Sequence, residues 1–338
     1  MTKDIKLCMA TNAIHTKLLD EVPRRSGLYQ WMDVFPDSEM VLFNRHRDFE
    51  AFDVVLVNAC MGDISAIPVL VDLLKDSSTK LVVCNDYAVE MWQGYFMQHP
   101  WELARSLRGA DAYFATEWCS ANALKAFIPD EKIQCTPHPA NPQLIRDTRD
   151  KVLKDLKKQN VEEGVGDVPP QKDIVSVFYH RYDNQTVNPW IVTKDCGWMT
   201  SLVGYIHGDK ADKKNWITTS LYDRLVAYGS HEDHIKSLIQ SKIAYEPSTL
   251  HTWGRSVVEC GALGLPCFGS NRNAALNHLY PELAFDPFDL YGQRKILGRL
   301  VDSEKFRDEM GGLAVEKAEY YNIENSRERF LKVLENGT

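Results

Sequence analysis

Two doubly wound α/β domains facing a cleft are what this sequence predicts, and three observations predict them. Apolar runs of strand length alternate with helix-like segments in both halves of the chain. The runs are continuous instead of alternating apolar with polar, as in parallel strands buried on both faces. Finally, Lys151 to Lys172 is strongly polar and contains Lys-Lys, Glu-Glu, two glycines and Pro-Pro. With 338 residues, 44% hydrophobic and 25% charged, the chain has room for two cores. The expected division is a Rossmann-like domain over 1–150, a linker over 151–172 and a second domain over 173–338 that includes the terminal helices.

In order, the first half offers strands at Ile5–Ala10, Met40–Phe43, Val54–Val57, Leu81–Cys84 and Ala112–Ala115. Helix-like segments lie between and after them at Ala66–Leu74, Trp101–Leu107 and Ala121–Phe127. The second half repeats the alternation with strands at Ile174–Tyr179, Ser201–His207, Leu225–Tyr228, Lys242–Tyr245 and Cys267–Gly269. No internal repeat or low-complexity tract interrupts it.

The 47 acidic side chains outnumber the 39 basic ones, for a net charge of −8. That balance argues against a surface built chiefly for nucleic acid or anionic lipid, while leaving a local basic groove open. No window approaches ~18 uninterrupted apolar residues, and the polar start Met-Thr-Lys-Asp-Ile-Lys is unlike a signal peptide, so a cytoplasmic location is expected. Eight cysteines are scattered without a Cys-x-x-Cys pair and read as free thiols. No His cluster or Asp-x-Asp pair has metal-ligand placement, so no metal is expected.

The richest stretch runs from Tyr245 to Pro266. Pro247 and Ser248 close a strand, Gly254 permits a tight turn, and Arg255–Leu263 has helical spacing with Val258 and Ala262 on one face. Gly264 then ends the helix, and Pro266-Cys267-Phe268 opens the next strand. A helix emerging from a glycine turn directs N–H groups and a positive dipole end at what lies in front of it, which suits a phosphate. Arg255 in the first turn opposes the dipole, so an anion explains it better than helix stability does.

This stretch resembles the C-terminal domain of retaining nucleotide-sugar glycosyltransferases with the GT-B fold, in the glycogen-synthase and sucrose-synthase-like superfamily. Those enzymes carry Pro-Ser, an acidic residue three positions later, a Gly-aromatic-Gly turn, a second Glu eight positions after the first, and Gly-x-Pro. Pro247, Ser248, Trp253, Gly254, Glu259, Gly264 and Pro266 fall in register, whereas His251 stands for the first Glu and Thr252 for the first Gly. Val226–Ile243, with Gly229, looks like the family's strand, glycine and helix that flank the nucleotide base. Leu283–Asp289 and Glu304–Leu334 look like its last strand and terminal helices.

The resemblance implies a nucleotide-diphosphate sugar as donor substrate, with no cofactor, and a site over the glycine turn. Glu259 would accept hydrogen bonds from ribose hydroxyls, with Trp253, Gly254, Ser256 and Gly229 around the nucleotide. His251 would face the donor sugar, although an imidazole cannot fully copy a carboxylate acceptor. Arg255 and Arg181 would hold the diphosphate. Arg181 follows the strand Ile174–Tyr179, but His180 and Thr186 replace the family's Gly and Lys, so it is either half of a phosphate clamp or a surface arginine.

In the first half, Gly27 resembles the family's glycine turn near donor and acceptor, or simply opens a helix. Asp86, at a strand's carboxyl end, is the local acid or base candidate or a helix cap. His138 in Pro-His-Pro lines the cleft or only stiffens a turn, and His15 is a further candidate. Tyr179, Tyr182, Trp190, Trp198 and Tyr205 serve core packing more readily than base stacking. A carbohydrate or small-molecule acceptor is expected. Two rivals stand beside this reading. One is transfer to a modified base in DNA, which Arg24, Arg25, Arg45, His46 and Arg47 would support. The other is a non-catalytic sugar-nucleotide sensor or partner subunit, suggested by the missing Glu and Lys.

Overall fold

The structure, a computed structural model, describes residues 5–11, 27–42, 48–59, 66–86, 90, 108–162, 173–178, 189–205, 221–227 and 229–336. Two six-stranded sheets, parallel throughout, divide the chain as the alternation predicts. The first contains β1 (Leu7–Thr11), β2 (Glu39–Leu42), β3 (Val54–Asn58), β4 (Lys80–Asn85), β5 (Ala112–Ala115) and β6 (Ile133–Cys135), in the order β2-β1-β3-β4-β5-β6. The second contains β7 (Ile174–Phe178), β8 (Met199–Tyr205), β9 (Arg224–Ala227), β10 (Ile243–Glu246), β11 (Cys267–Ser270) and β12 (Ala284–Phe285), ordered β12-β11-β10-β7-β8-β9.

Continuous apolar strands arise because both faces of each sheet are covered. In the first sheet Cys8, Ala10, Val55, Val57, Leu81 and Val83 enter one core, while Leu7, Met9, Val54, Leu56, Val82 and Cys84 enter another on the opposite face. In the second sheet strand order reverses between β7 and β10, and the crevice beyond their carboxyl ends is where open α/β sheets hold ligands. The stretch singled out in the sequence begins there.

The path between the sheets differs from the expected one. Where a linker was expected from 151, a single helix runs Pro142–Glu162 and packs against the helices His231–Ile239 and Arg255–Leu263. Its buried positions Ile145, Thr148 and Val152 repeat at helical spacing; the polar remainder, which reads as a linker, is its solvated side. The last helix, Ile323–Asn336, also leaves the second sheet. Phe330 lies 5.1 Å from the rings of Trp31 and Phe35 and 6.1 Å from that of Phe114, so this helix completes the core of the first domain.

The strands β6 and β12 are three and two residues long, and β6 has too few apolar residues to announce itself. The expected helix over Trp101–Leu107 lies outside the described residues. Trp190 and Trp198 pack against the second core. Among the described residues no helix is long and apolar enough to cross a membrane, and the seven described cysteines are free.

Candidate functional site

The helix Arg255–Leu263 begins and ends where the sequence places it, each boundary set by a glycine. Gly254 is the N-cap at φ 87° and Gly264 the C-cap at φ 70°, left-handed conformations that favour glycine. A Cβ on Gly254 would also stand 1.9 Å from Asn273 Oδ1, so both backbone and space exclude a side chain. The loop before the helix is fastened to the segment after β11. Thr252 N–H donates to Arg272 O (3.1 Å), Ala274 N–H to Thr252 O (2.8 Å) and Ala275 N–H to Trp253 O (3.0 Å). Ser248 N–H donates to Glu246 Oε1 (3.0 Å), and no side chain caps the helix's first turn, which contains Ser256. Its amino end is therefore held rigidly at the carboxyl end of β10.

One turn inside, Glu259 is fully buried. Arg255 Nε donates to its Oε1 (3.0 Å), His231 Nε2 lies 3.1 Å from Oε1, and His234 Nε2 lies 2.9 Å from Oε2. The helix His231–Ile239 supplies both histidines. Its start is fixed by a capping box between Ser230 and Asp233, and Gly229 immediately precedes it. Burial by itself would raise the Glu259 carboxyl, but the charges of His234 and Arg255 and hydrogen bonds from both histidines outweigh it and hold the group well below the usual carboxylate range. A ribose can meet this carboxylate only by displacing one of those partners. Nδ1 of His231, itself buried, has no hydrogen-bond partner among the described residues. The i,i+4 spacing turns Arg255 back along its own helix to Glu259.

Opposite, the first sheet contributes Asp86 at the end of β4, 29% exposed and directed toward His138, whose Nε2 lies 3.1 Å from its Oδ1. Thr116 Oγ1 lies 3.5 Å from the same oxygen. His138 is buried; it accepts the indole N–H of Trp31 on Nδ1 at 2.9 Å, and its ring meets Trp253 edge-on with centroids 5.6 Å apart. Gly27 completes this contact between the domains, since a Cβ there would stand 2.6 Å from Trp253 and 2.7 Å from His138. Trp253 and Gly27 are thus used by the protein to bring its two halves together.

A second meeting point lies beside it. His251 Nδ1 and Glu90 Oε1 are 2.6 Å apart, with Arg272 Nη1 3.7 Å from the same oxygen. Glu90, Trp31, His231, His234 and Asn273 carry no local sequence signal; only the fold brings them here. His251 lies at a contact between the two domains, Asp86 lies beside His138 within the first, and Arg255 and Glu259 pair within one helix of the second. Arg181 lies outside the described residues, as do His15, Tyr179, Tyr182, Arg24, Arg25, Arg45, His46 and Arg47. Among the described residues no group of three or more His, Cys, Asp or Glu is arranged to hold a metal ion.

No protein-family model and no curated protein sequence matches the chain. Solved structures do. HepE of Anabaena, in complex with UDP and glucose, is 14% identical, covering 98% of this chain and 99% of that one at a TM-score of 0.70. Sucrose-phosphate synthase from Thermosynechococcus elongatus is 15% identical over 96% of this chain and 79% of its own, at 0.64. The N-terminal domain of trehalose-6-phosphate phosphatase from Candida albicans is 10% identical over 98% and 99%, at 0.68. The chain has the GT-B fold that the resemblance implied. At these identities the likeness extends to fold, and chemistry has to be argued from the site.

Proposed function

We propose that this GT-B chain is a glycosyltransferase that moves a sugar from a nucleotide-diphosphate donor to a carbohydrate or small-molecule acceptor in the cleft, in the cytoplasm and without a metal. The observation that carries the reading is the rigid, glycine-started helix Arg255–Leu263 at the strand-order reversal of the second sheet. Its first turn, at Gly254 to Ser256, takes the diphosphate, and the dipole and Arg255 stabilise the negative charge that grows there as the nucleotide departs. Arg181 is the second cation of this reading.

Glu259 organises the ribose side. A carboxylate only accepts hydrogen bonds, so it holds the hydrogen of His231 on Nε2, and a ribose hydroxyl donates to Glu259 by displacing one of its present partners. Gly229 lets the base lie close to the adjoining turn. Asp86, oriented by His138 and Thr116, is the acid or base on the acceptor side. UDP-glucose is the first donor to test, because the HepE structure contains UDP and glucose. Calorimetry with UDP, followed by release of UDP from UDP-glucose, tests the reading; a folded chain that binds neither ligand overturns it.

The non-catalytic sensor rests on two departures from the family pattern, His251 in place of the first Glu and Thr186 in place of the Lys. Binding of UDP-glucose without release of UDP, across a panel of sugar acceptors, would select it.

A further inference from the structure

We infer that Glu90 is a positioning residue that makes His251 a hydrogen-bond acceptor for the sugar of the donor, and that this acceptor is assembled only when the two domains meet. The inference rests on the donor reading above. Glu90 belongs to the first domain, beyond β4, and His251 to the second, in the loop after β10. Their side chains touch at 2.6 Å between Oε1 and Nδ1, and both stay partly open, 29% and 24% exposed.

The direction of that bond follows from valence. A carboxylate has no hydrogen to give, so the hydrogen lies on Nδ1 of His251. An imidazole with one ring hydrogen then presents a bare lone pair at Nε2. Without Glu90 the hydrogen is free to sit on either nitrogen. Arg272, 3.7 Å from the same carboxylate oxygen and itself anchored to Thr249 O, holds Glu90 in place from the second domain. His251 stands three residues ahead of Gly254, in the loop that leads to the helix end. The group next along from a diphosphate held at that end is the sugar, whose hydroxyls are donors that an Nε2 lone pair accepts. The carboxylate thus acts from the opposite domain, through the ring, and sugar recognition is linked to closure of the cleft.

The test uses the full chain with 15N-labelled histidine, and UDP and UDP-glucose as probes. The expected wild-type spectrum shows His251 with hydrogen on Nδ1 and a bare Nε2. Glu90→Ala mixes the two tautomers, and it lowers affinity for UDP-glucose about tenfold, the scale of one hydrogen bond, with affinity for UDP unchanged. Glu90→Gln, whose amide oxygen still accepts from Nδ1, restores most of both. A wild-type ring with its hydrogen on Nε2 overturns the inference, as does a Glu90→Ala chain that keeps the wild-type ratio of UDP-glucose to UDP affinity. Failure of the wild type to bind UDP at all is a different result: it removes the donor reading and the sugar role with it, while the tautomer still decides whether the pair exists.

Discussion

Trp31 donates its indole N–H to Nδ1 of His138 at 2.9 Å, and this one bond decides which nitrogen faces Asp86. An indole only donates, so Nδ1 accepts and the ring's hydrogen lies on Nε2, the atom 3.1 Å from Asp86 Oδ1. A tryptophan buried in the first domain therefore sets the tautomer of a histidine that stands beside a carboxylate.

Trp31→Phe keeps most of the apolar volume and removes that donor. The buried Nδ1 is left without its partner, at a cost of about 1–3 kcal/mol. The midpoint of chemical denaturation should fall accordingly, with the denaturant slope unchanged. An unaltered midpoint would mean that the bond contributes nothing to stability.

Glu259→Gln tests the buried cluster through pH. The folded carboxyl lies well below its ordinary value of 4.5, so its contribution to stability is complete above that pH and is lost as pH falls through the depressed folded value. At pH 7 the variant should be less stable by about 3–5 kcal/mol, the scale of breaking a buried ion pair. The gap to wild type should narrow steadily below about pH 4.5. A constant gap down to acid unfolding would contradict the assignment of charge to Glu259.

Arg255→Ala bears on the chemistry. If the helix end and this arginine stabilise the departing diphosphate, turnover of UDP-glucose should drop by about 2–4 kcal/mol of transition-state stabilisation. Chelation by EDTA should leave wild-type turnover intact. Loss of turnover in EDTA that is restored by a divalent ion would show that a metal does this work.

Gly254→Ala should be among the most damaging small substitutions, because it combines a left-handed backbone with a clash against Asn273 Oδ1. A loss exceeding about 1 kcal/mol is expected from strain alone, together with weaker UDP binding as the helix end shifts. Full UDP affinity in this variant would place the nucleotide elsewhere.

A duplex DNA acceptor requires cations spaced along a backbone. Fluorescence anisotropy at low salt should detect no appreciable duplex binding. Tight, salt-sensitive binding, weakened by alanine at Arg24, Arg25, Arg45 and Arg47, would move the acceptor assignment to DNA.

Most of the fold was legible because its determinants are local. Apolar runs marked the strands, and Gly254 and Gly264 marked both ends of one helix to the residue. What could not be read was set at long range. The stretch from 151 to 162 looks like a linker because only one narrow side of the helix it belongs to is buried. The final helix gives no sign that Phe330 belongs with Trp31, some three hundred positions earlier. In the site, Glu259 was found by spacing, yet its partners His231 and His234 were not, since two histidines on a helix have meaning only when a neighbouring helix presents a carboxylate. Glu90 is the extreme case: a single acidic residue with no motif, whose place opposite His251 exists only in three dimensions.

The return of the Ile323–Asn336 helix to the first sheet imposes an order on biosynthesis. A ribosome finishes every strand of the first domain long before it reaches Phe330, and at roughly 5–20 residues per second the interval is on the order of 10–40 s. Throughout that time Trp31, Phe35 and Phe114 lack the side chain that seals them. The amino-terminal half is thus made first and finished last, and a nascent chain arrested before its final turns would expose an aromatic face to chaperones or to its neighbours on the polysome.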